Sequence, residues 1–544
     1  MSIVEALAYP STRTATWPDV PGLAWPWART KVLVLAVATV LAFGFRVSAL
    51  STYGFSEDEL NKVRAIEQYR AGGFGANAEH PMLMKLAMWG SVTLARPWNV
   101  PLESAVRMPN VVAGAATTVV LFGVAELLFG GAVAAVVSLL WAFDVNAIAI
   151  NRIGKEDTFL LLFFLLAVYC YERAKRQGVD DPEAAQRWYT LSGASFGLML
   201  ASKYMPQYLG IYALFNVVTD RNPGANKPDR LRHYGAMGAA FLAANAAVLM
   251  PATWRYCASY VQGDLLAHHG YLYAGAMYVT NIPISPLGVP ATYYLRLVGT
   301  KVPLVVLAAA IPGVIELVRR RRERGFVLLR VLAVFLVVPY SLMAAKFMRY
   351  ALPMFAVLDL IAAVGLVAGI GWLLRKGWLS PITRVAVATL ALVVFGSGLV
   401  MAARSAAPFY SLFTNAIGAR YEPDRAERSA FPEATYDYGV REAVAAIAGA
   451  AATSAVVVSD APAVVAHYLQ ERGRQDLAVR SLSGSGIPAG DAWVIVQDEH
   501  TTFENGMLVE QLRARERPWM QIRADDALAL QVFHVVRVFH DGGR

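Results

Sequence analysis

Between Lys31 and Arg404 the chain repeats one pattern: apolar runs of roughly 18 or more residues, each long enough to cross a hydrocarbon layer of ~30 Å as a helix. That recurrence removes the picture of three or four soluble domains that 544 residues would otherwise suggest. Composition agrees. Hydrophobic residues make up 56% and charged residues only 16%, against about 25% charged in a soluble domain, so too little polar surface remains to cover a globule. The chain is expected to be a polytopic α-helical membrane protein.

Apolar windows fall near 31–50, 105–127, 132–150, 157–173, 189–202, 205–219, 234–251, 297–318, 325–345, 350–374 and 384–404, which predicts about eleven spans. The windows at 189–202 and 205–219 are short and separated by Ser202, Lys203 and Tyr204, a break of the kind tolerated where backbone borders a cavity. The net charge of +9, from 49 Lys+Arg and 40 Asp+Glu, lies mainly in short loops. It is read as a topology signal, and nucleic acid is set aside as a partner. Arg173 to Arg187, Arg221 to Arg232, the run Arg319 to Arg324, and Arg375 to Arg384 then share the cytoplasmic side with the N-terminus. This predicts a multi-pass protein of the inner or plasma membrane, with exterior loops at 51–104 and 252–296. Residues 1–30, with Pro10, Pro18, Pro21 and Pro26 and no cleavage pattern, are expected to be a disordered cytoplasmic tail. Cys170 and Cys257 have no second ligand cluster at metal spacing, which argues against a disulfide framework or a structural zinc site.

Residues 405–544 differ in texture. Helix-like AVAAIAG and APAVVAHYLQ alternate with strand-like SAVVVSD, DAWVIVQ and LQVFHVVRVF, which predicts a small extracytoplasmic α/β domain tethered by the last span. Asp460 ends one of these strands, where open α/β sheets bind ligands, although a helix cap is the commoner role.

Charge interrupts the apolar pattern at a few places. FSEDELNKVRAIEQY puts Glu57, Asp58 and Glu59 directly after a membrane exit and at the start of a helix. They serve either as acids favouring the helix dipole or as a carboxylate base at the membrane surface. EHPMLMKLAMW, with Glu79, His80 and Lys85, opens an amphipathic helix too short to span. INRIGKED sets Arg152, Lys155, Glu156 and Asp157 between two apolar runs, where charge is costly unless it pairs or faces a wet cavity. Either an Arg152–Asp157 pair fastens two helices or the group marks a site. Lys203, Arg255, His268, His269, Lys346 and Arg349 add cationic or imidazole groups on the predicted outer side. One such residue would snorkel to headgroups; their accumulation suits a phosphate held at the outer leaflet. Glu79, His80, His268 and His269 could hold a divalent metal, but no ligand spacing demands one.

The ordered set SEDE, EHPMLMK, RMPNVVAG, INRIGKED, ASKYMPQ, HHGYLYAG with YYLRLVGTKVP, KFMRYALP and YDYGVREA resembles the C-type (GT-C) membrane glycosyltransferases over about 31–440. The similarity is to the bacterial branch related to protein O-mannosyltransferases and the lipid A aminoarabinose transferase. It implies a polyprenyl phosphate monosaccharide donor and transfer, with inversion, to an acceptor on the outer face: a protein, a lipid or a polysaccharide. By the same resemblance the paired acids are Asp58, the expected base, and Glu59. His80, Pro81 and Met82 take the place of a His-Pro-Pro element. Arg152 and Asp157 are the arginine and acid after the third span, and Lys203, Lys346 and Arg349 are donor-phosphate ligands. The absence of a nucleotide-binding glycine loop agrees with a lipid donor. The rival readings are a transporter or flippase of a lipid-linked sugar, which should need polar groups through the midplane, and a scaffold whose exported domain binds a partner.

Overall fold

The computed structural model describes residues 27–178, 181–219, 227–263, 269–280, 285–375, 379–421 and 430–536. Most of the expected tail, and His268, lie outside them.

The chain enters through α1 (Trp27–Val47), then α2 (Glu57–Arg70), α3 (Leu83–Ala95) and α4 (Leu102–Phe129). The bundle continues with α5 (Gly131–Phe143), α6 (Val145–Asn151), α7 (Asp157–Gln177), α8 (Pro182–Ser202), α9 (Gln207–Thr219), α10 (Arg230–Ala244) and α11 (Pro251–Gln262). After a hairpin of β1 (Tyr271–Tyr273) and β2 (Ala276–Tyr278) come α12 (Tyr293–Lys301), α13 (Leu304–Arg319), α14 (Arg324–Leu342), α15 (Leu352–Leu374) and α16 (Pro381–Ala406).

Every apolar window corresponds to a helix or a bent helix pair. Among the described residues five helices are long and apolar enough to cross a membrane, or up to seven spans if two bent pairs each count once. The expected number of eleven also counted α7 to α10. Of these, α7 carries Glu172, Arg173, Lys175 and Arg176 in its last turns, while α9 and α10 have only 13 and 15 residues, about 20 Å of helix each. The bend of 60° between α5 and α6 falls at Asp144, whose carboxylate accepts from the Asn146 and Ala147 N–H groups and so restarts the helix. The 119° bend between α12 and α13 falls at Val302 and Pro303.

Close packing comes from small residues. Gly193 and Gly197 press α8 against α10, where an added Cβ would sit 2.1 Å from the His233 carbonyl or 2.2 Å from that of Met237. Gly313 and Gly365 do the same for α13 and α15.

Beyond the bundle, after α17 (Ala416–Tyr421), a mixed five-stranded sheet runs in the order β4-β3-β5-β7-β6. Its strands are β3 (Val456–Val458), β4 (Ala478–Arg480), β5 (Ala492–Val496), β6 (Met520–Ala524) and β7 (Ala527–Val535), interleaved with α18 (Val440–Ala450), α19 (Pro462–Glu471), α20 (Leu482–Ser485) and α21 (Gly506–Arg515). β3 pairs in parallel with β4 and β5, and β7 runs antiparallel to β5 and β6. The sheet does not hang on a free tether. Val444, Val465 and Trp493 share one buried apolar cluster with Phe55, Leu60, Met84, Met88 and Val106 of the first loop and α4, and Tyr468 Oη receives the Phe55 N–H at 2.6 Å. The far end of the chain therefore fixes the segment that carries Asp58.

Candidate functional site

The start of α2 is built by a capping box: Ser56 Oγ accepts from the Glu59 N–H, and the Glu59 carboxylate accepts from the Ser56 N–H. Glu59 is also held by Arg107 of α4, with Nη2···Oε2 2.6 Å and Nε···Oε1 2.8 Å, and by the Gly154 N–H at 2.9 Å. The same guanidinium donates to the carbonyls of Leu50, Tyr53 and Gly54. Both side chains are buried. Although burial alone would raise it, Arg107 with these hydrogen bonds holds the Glu59 carboxyl below its ordinary range. Every oxygen of Glu59 is thus engaged in building the loop.

Asp58, one residue earlier, points the other way. Its side chain is 44% exposed and ion-paired with Lys155, which is only 3% exposed. Burial, followed by repulsion from the Arg349 guanidinium, pushes the Lys155 amine well below its ordinary range. The next residues of the α6–α7 connection add two anions. Glu156 lies 3.1 Å from Lys62 Nζ and 3.8 Å from His80 Nδ1. Asp157 pairs with Lys203 at 2.7 Å. Lys203 Nζ rests 4.5 Å from the Tyr350 ring centre, and the Arg349 guanidinium lies over the same ring at 5.4 Å. Arg349 is within electrostatic reach of Asp157 and of Tyr436. One cluster therefore collects Asp58, Lys155, Asp157, Lys203, Arg349 and Tyr350 from four separate parts of the chain.

The remaining expected residues have other places. Arg152 is fully buried and caps the end of α1, donating to the carbonyls of Phe45 (3.1 Å), Ser48 (2.6 Å) and Ala49 (3.1 Å). The expected Arg152–Asp157 pair is replaced by Lys203–Asp157. Lys346 is buried and donates to the carbonyls of Val289 (2.5 Å) and Met343; burial pushes its amine down to about 8. Lys85 donates to the carbonyls of Asn77 (2.5 Å) and His80 (2.9 Å), and burial lowers it to about 7. His80 is pushed down to about 4, burial outweighing the pull of Glu156, so the ring is neutral at physiological pH. Arg255 is exposed on α11, and exposed His269 lies 3.4 Å from Glu504.

Among the described residues one group has three possible metal ligands close together, Asp437, Glu499 and His500, with ligand atoms within 4.8 Å of one another. Glu79 and His80 are not part of it; Glu79 accepts instead from Asn77 Nδ2 at 2.5 Å. The Asp437 oxygens already accept from His500 Nε2 (2.7 Å), Gln497 Nε2 (3.1 Å) and the Glu57 N–H (2.8 Å). These groups satisfy one another without an ion.

Sequence reasoning did not single out Arg107, although a lone arginine inside an apolar run was a signal for it. Tyr436 and Asp437 open the motif YDYGVREA, which gave neither a role, and Glu433 and His500 lie in none of the quoted motifs.

Residues 79–252 match the model of the dolichyl-phosphate-mannose-protein mannosyltransferase family. No curated protein sequence matches significantly. Two solved structures share the fold. One is ArnT from Cupriavidus metallidurans in the apo state, 14% identical, with TM-score 0.51, covering 92% of this chain and 97% of that one. The other is the archaeal oligosaccharyltransferase AglB from Archaeoglobus fulgidus, in complex with an inhibitory peptide and a dolichol-phosphate. It is 12% identical, with TM-score 0.50, covering 83% of this chain and 64% of that one. The likeness to ArnT and AglB shows a shared fold, and the mannosyltransferase family model matches 174 of the 544 residues within it.

Proposed function

We propose that the protein transfers a monosaccharide from a polyprenyl-phosphate-linked donor to a hydroxyl or similar acceptor, at the exterior face of the inner or plasma membrane. Asp58 takes the proton of the acceptor hydroxyl, and the freed oxygen attacks the anomeric carbon from the side opposite the phosphate. The bond from that carbon to the phosphate oxygen breaks with inversion, and polyprenyl phosphate leaves. Lys203 and Arg349, in that partly dehydrated cluster, stabilise the departing charge. Asp157 holds Lys203 in place. Lys155, ion-paired with Asp58, orients its carboxylate.

The observation that carries this reading is the position of Asp58: a carboxylate 44% exposed, paired with Lys155 at the edge of a cluster that also holds Lys203 and Arg349. The dolichol-phosphate named with AglB supports a lipid-phosphate ligand for this kind of fold. The basic loops support a cytoplasmic N-terminus, with the cluster and the C-terminal sheet outside.

Purified protein in lipid discs, given a polyprenyl phosphate carrying a radiolabelled sugar, should convert it to free polyprenyl phosphate with the label on added acceptor or water. Asp58→Asn should not. Label crossing sealed vesicles with the sugar–phosphate bond intact would instead identify a translocator.

A further inference from the structure

Five consecutive residues of the C-terminal part, Glu433 to Asp437, reach two distant elements of the charge cluster in the same way. Glu433 Oε1 accepts the backbone N–H of Met348 at 2.6 Å. Asp437 Oδ2 accepts the backbone N–H of Glu57 at 2.8 Å. Met348 directly precedes Arg349, and Glu57 directly precedes Asp58. Each carboxylate therefore holds the peptide group immediately before one of the two residues assigned to opposite sides of the reacting centre.

Both carboxylates are themselves fixed. Glu433 also accepts from Tyr271 Oη at 2.6 Å and from Tyr293 Oη, and Asp437 is gripped by His500 and Gln497. Ser411 Oγ anchors the middle of the segment through the Ala434 carbonyl at 2.6 Å. Tyr436 and Asp437 take left-handed φ values of 46° and 58°, a conformation costly for side-chain-bearing residues that persists only where surroundings enforce it. The turn lets neighbouring residues face different walls: Asp437 meets α2, while Tyr436 lies within electrostatic reach of Arg349, Asp157 and Glu433. All five residues are buried.

We propose that Glu433–Asp437 is a positioning strap that sets the separation between the base Asp58 and the phosphate ligand Arg349. The C-terminal part is then a working component of the transferase centre. This inference rests on the transferase reading above. Neither carboxylate touches substrate; both act through the backbone, in a reaction where a misplacement of about 1 Å costs about a hundredfold in rate.

The expected kinetics differ on the two arms. Asp437→Ala should lower kcat about tenfold to a hundredfold with the donor KM nearly unchanged, because only the base shifts. Glu433→Ala should raise the donor KM as well, because Arg349 shifts. Asp437→Asn and Glu433→Gln keep an oxygen that accepts the N–H and should recover most of the activity, which a loss of charge or of general stability would not allow. Hydrogen exchange on the intact wild-type protein needs no variant: the Glu57 and Met348 amides should both be strongly protected. Unprotected amides, or folded alanine variants with wild-type kcat and KM, would overturn the strap. A wild-type protein that exchanges slowly at both amides but transfers no sugar would instead sink the transferase reading and leave the hydrogen bonds standing.

Discussion

The Asp58 carboxylate, nearly half exposed, is ion-paired with the amine of Lys155, a side chain almost wholly buried. The acid reaches solvent while its partner belongs to the protein interior. Neighbouring Glu59 is completely buried against Arg107. Two adjacent acids thus have opposite environments, and their substitution should have opposite consequences.

For Asp58→Asn, transfer should fall by about 10²- to 10⁴-fold, the usual contribution of a positioned general base. Binding of polyprenyl phosphate, measured by calorimetry, and the thermal midpoint should stay close to wild type. A variant with full activity would remove Asp58 from the reaction.

Glu59→Ala or Arg107→Met should act on folding. Leaving one partner of a buried pair alone costs about 3–5 kcal/mol, so the readout is a lowered thermal midpoint and poor recovery from the membrane. Replacing both residues together by apolar side chains should cost less than the sum of the single changes. Equal stability of all three variants would show that the pair does not hold the loop.

Lys203→Ala should weaken polyprenyl phosphate binding about tenfold or more, the loss expected for a charged hydrogen bond of about 1.5–3 kcal/mol. Arg152→Ala, whose guanidinium caps α1, should lower stability without that selective loss of affinity. Reversed results would exchange the roles of the two cations.

The pH response should come from the strap. His500 is held between Asp437, Glu499 and Glu57; burial alone would lower its proton affinity, but these acids, Asp437 foremost, raise its pKa from 6.5 to about 10. The folded state therefore binds this proton more tightly than the unfolded chain does. Its contribution is fully present below pH 6.5, declines as pH rises from 6.5 towards 10, and is lost above that. Thermal midpoints measured across this window should fall in the wild type and change less in His500→Gln. Parallel curves would exclude the imidazolium.

Much of the bundle was legible because apolar runs report helices directly, and the charges that interrupt them, Asp58, Asp157, Lys203 and Arg349 among them, are ones the structure brings into one cluster. The pairing was not legible. Arg152 and Lys203 are equally cationic in sequence, and only the fold sends one to the carbonyls of α1 and the other to Asp157. The expected eleven spans include α9 and α10, which are apolar but only 13 and 15 residues long. The partner of Asp437 was not legible for a different reason: it meets Glu57 across 380 positions of chain, and no local periodicity encodes such a contact.

That long reach has a consequence for biogenesis. A ribosome that has made the first 430 residues has supplied Asp58, Lys155, Lys203 and Arg349 but none of the side chains that brace the peptide groups beside the first and last of them. On the transferase reading, the protein would be born inert in the bilayer and acquire competence only when residues as late as His500 have emerged and docked.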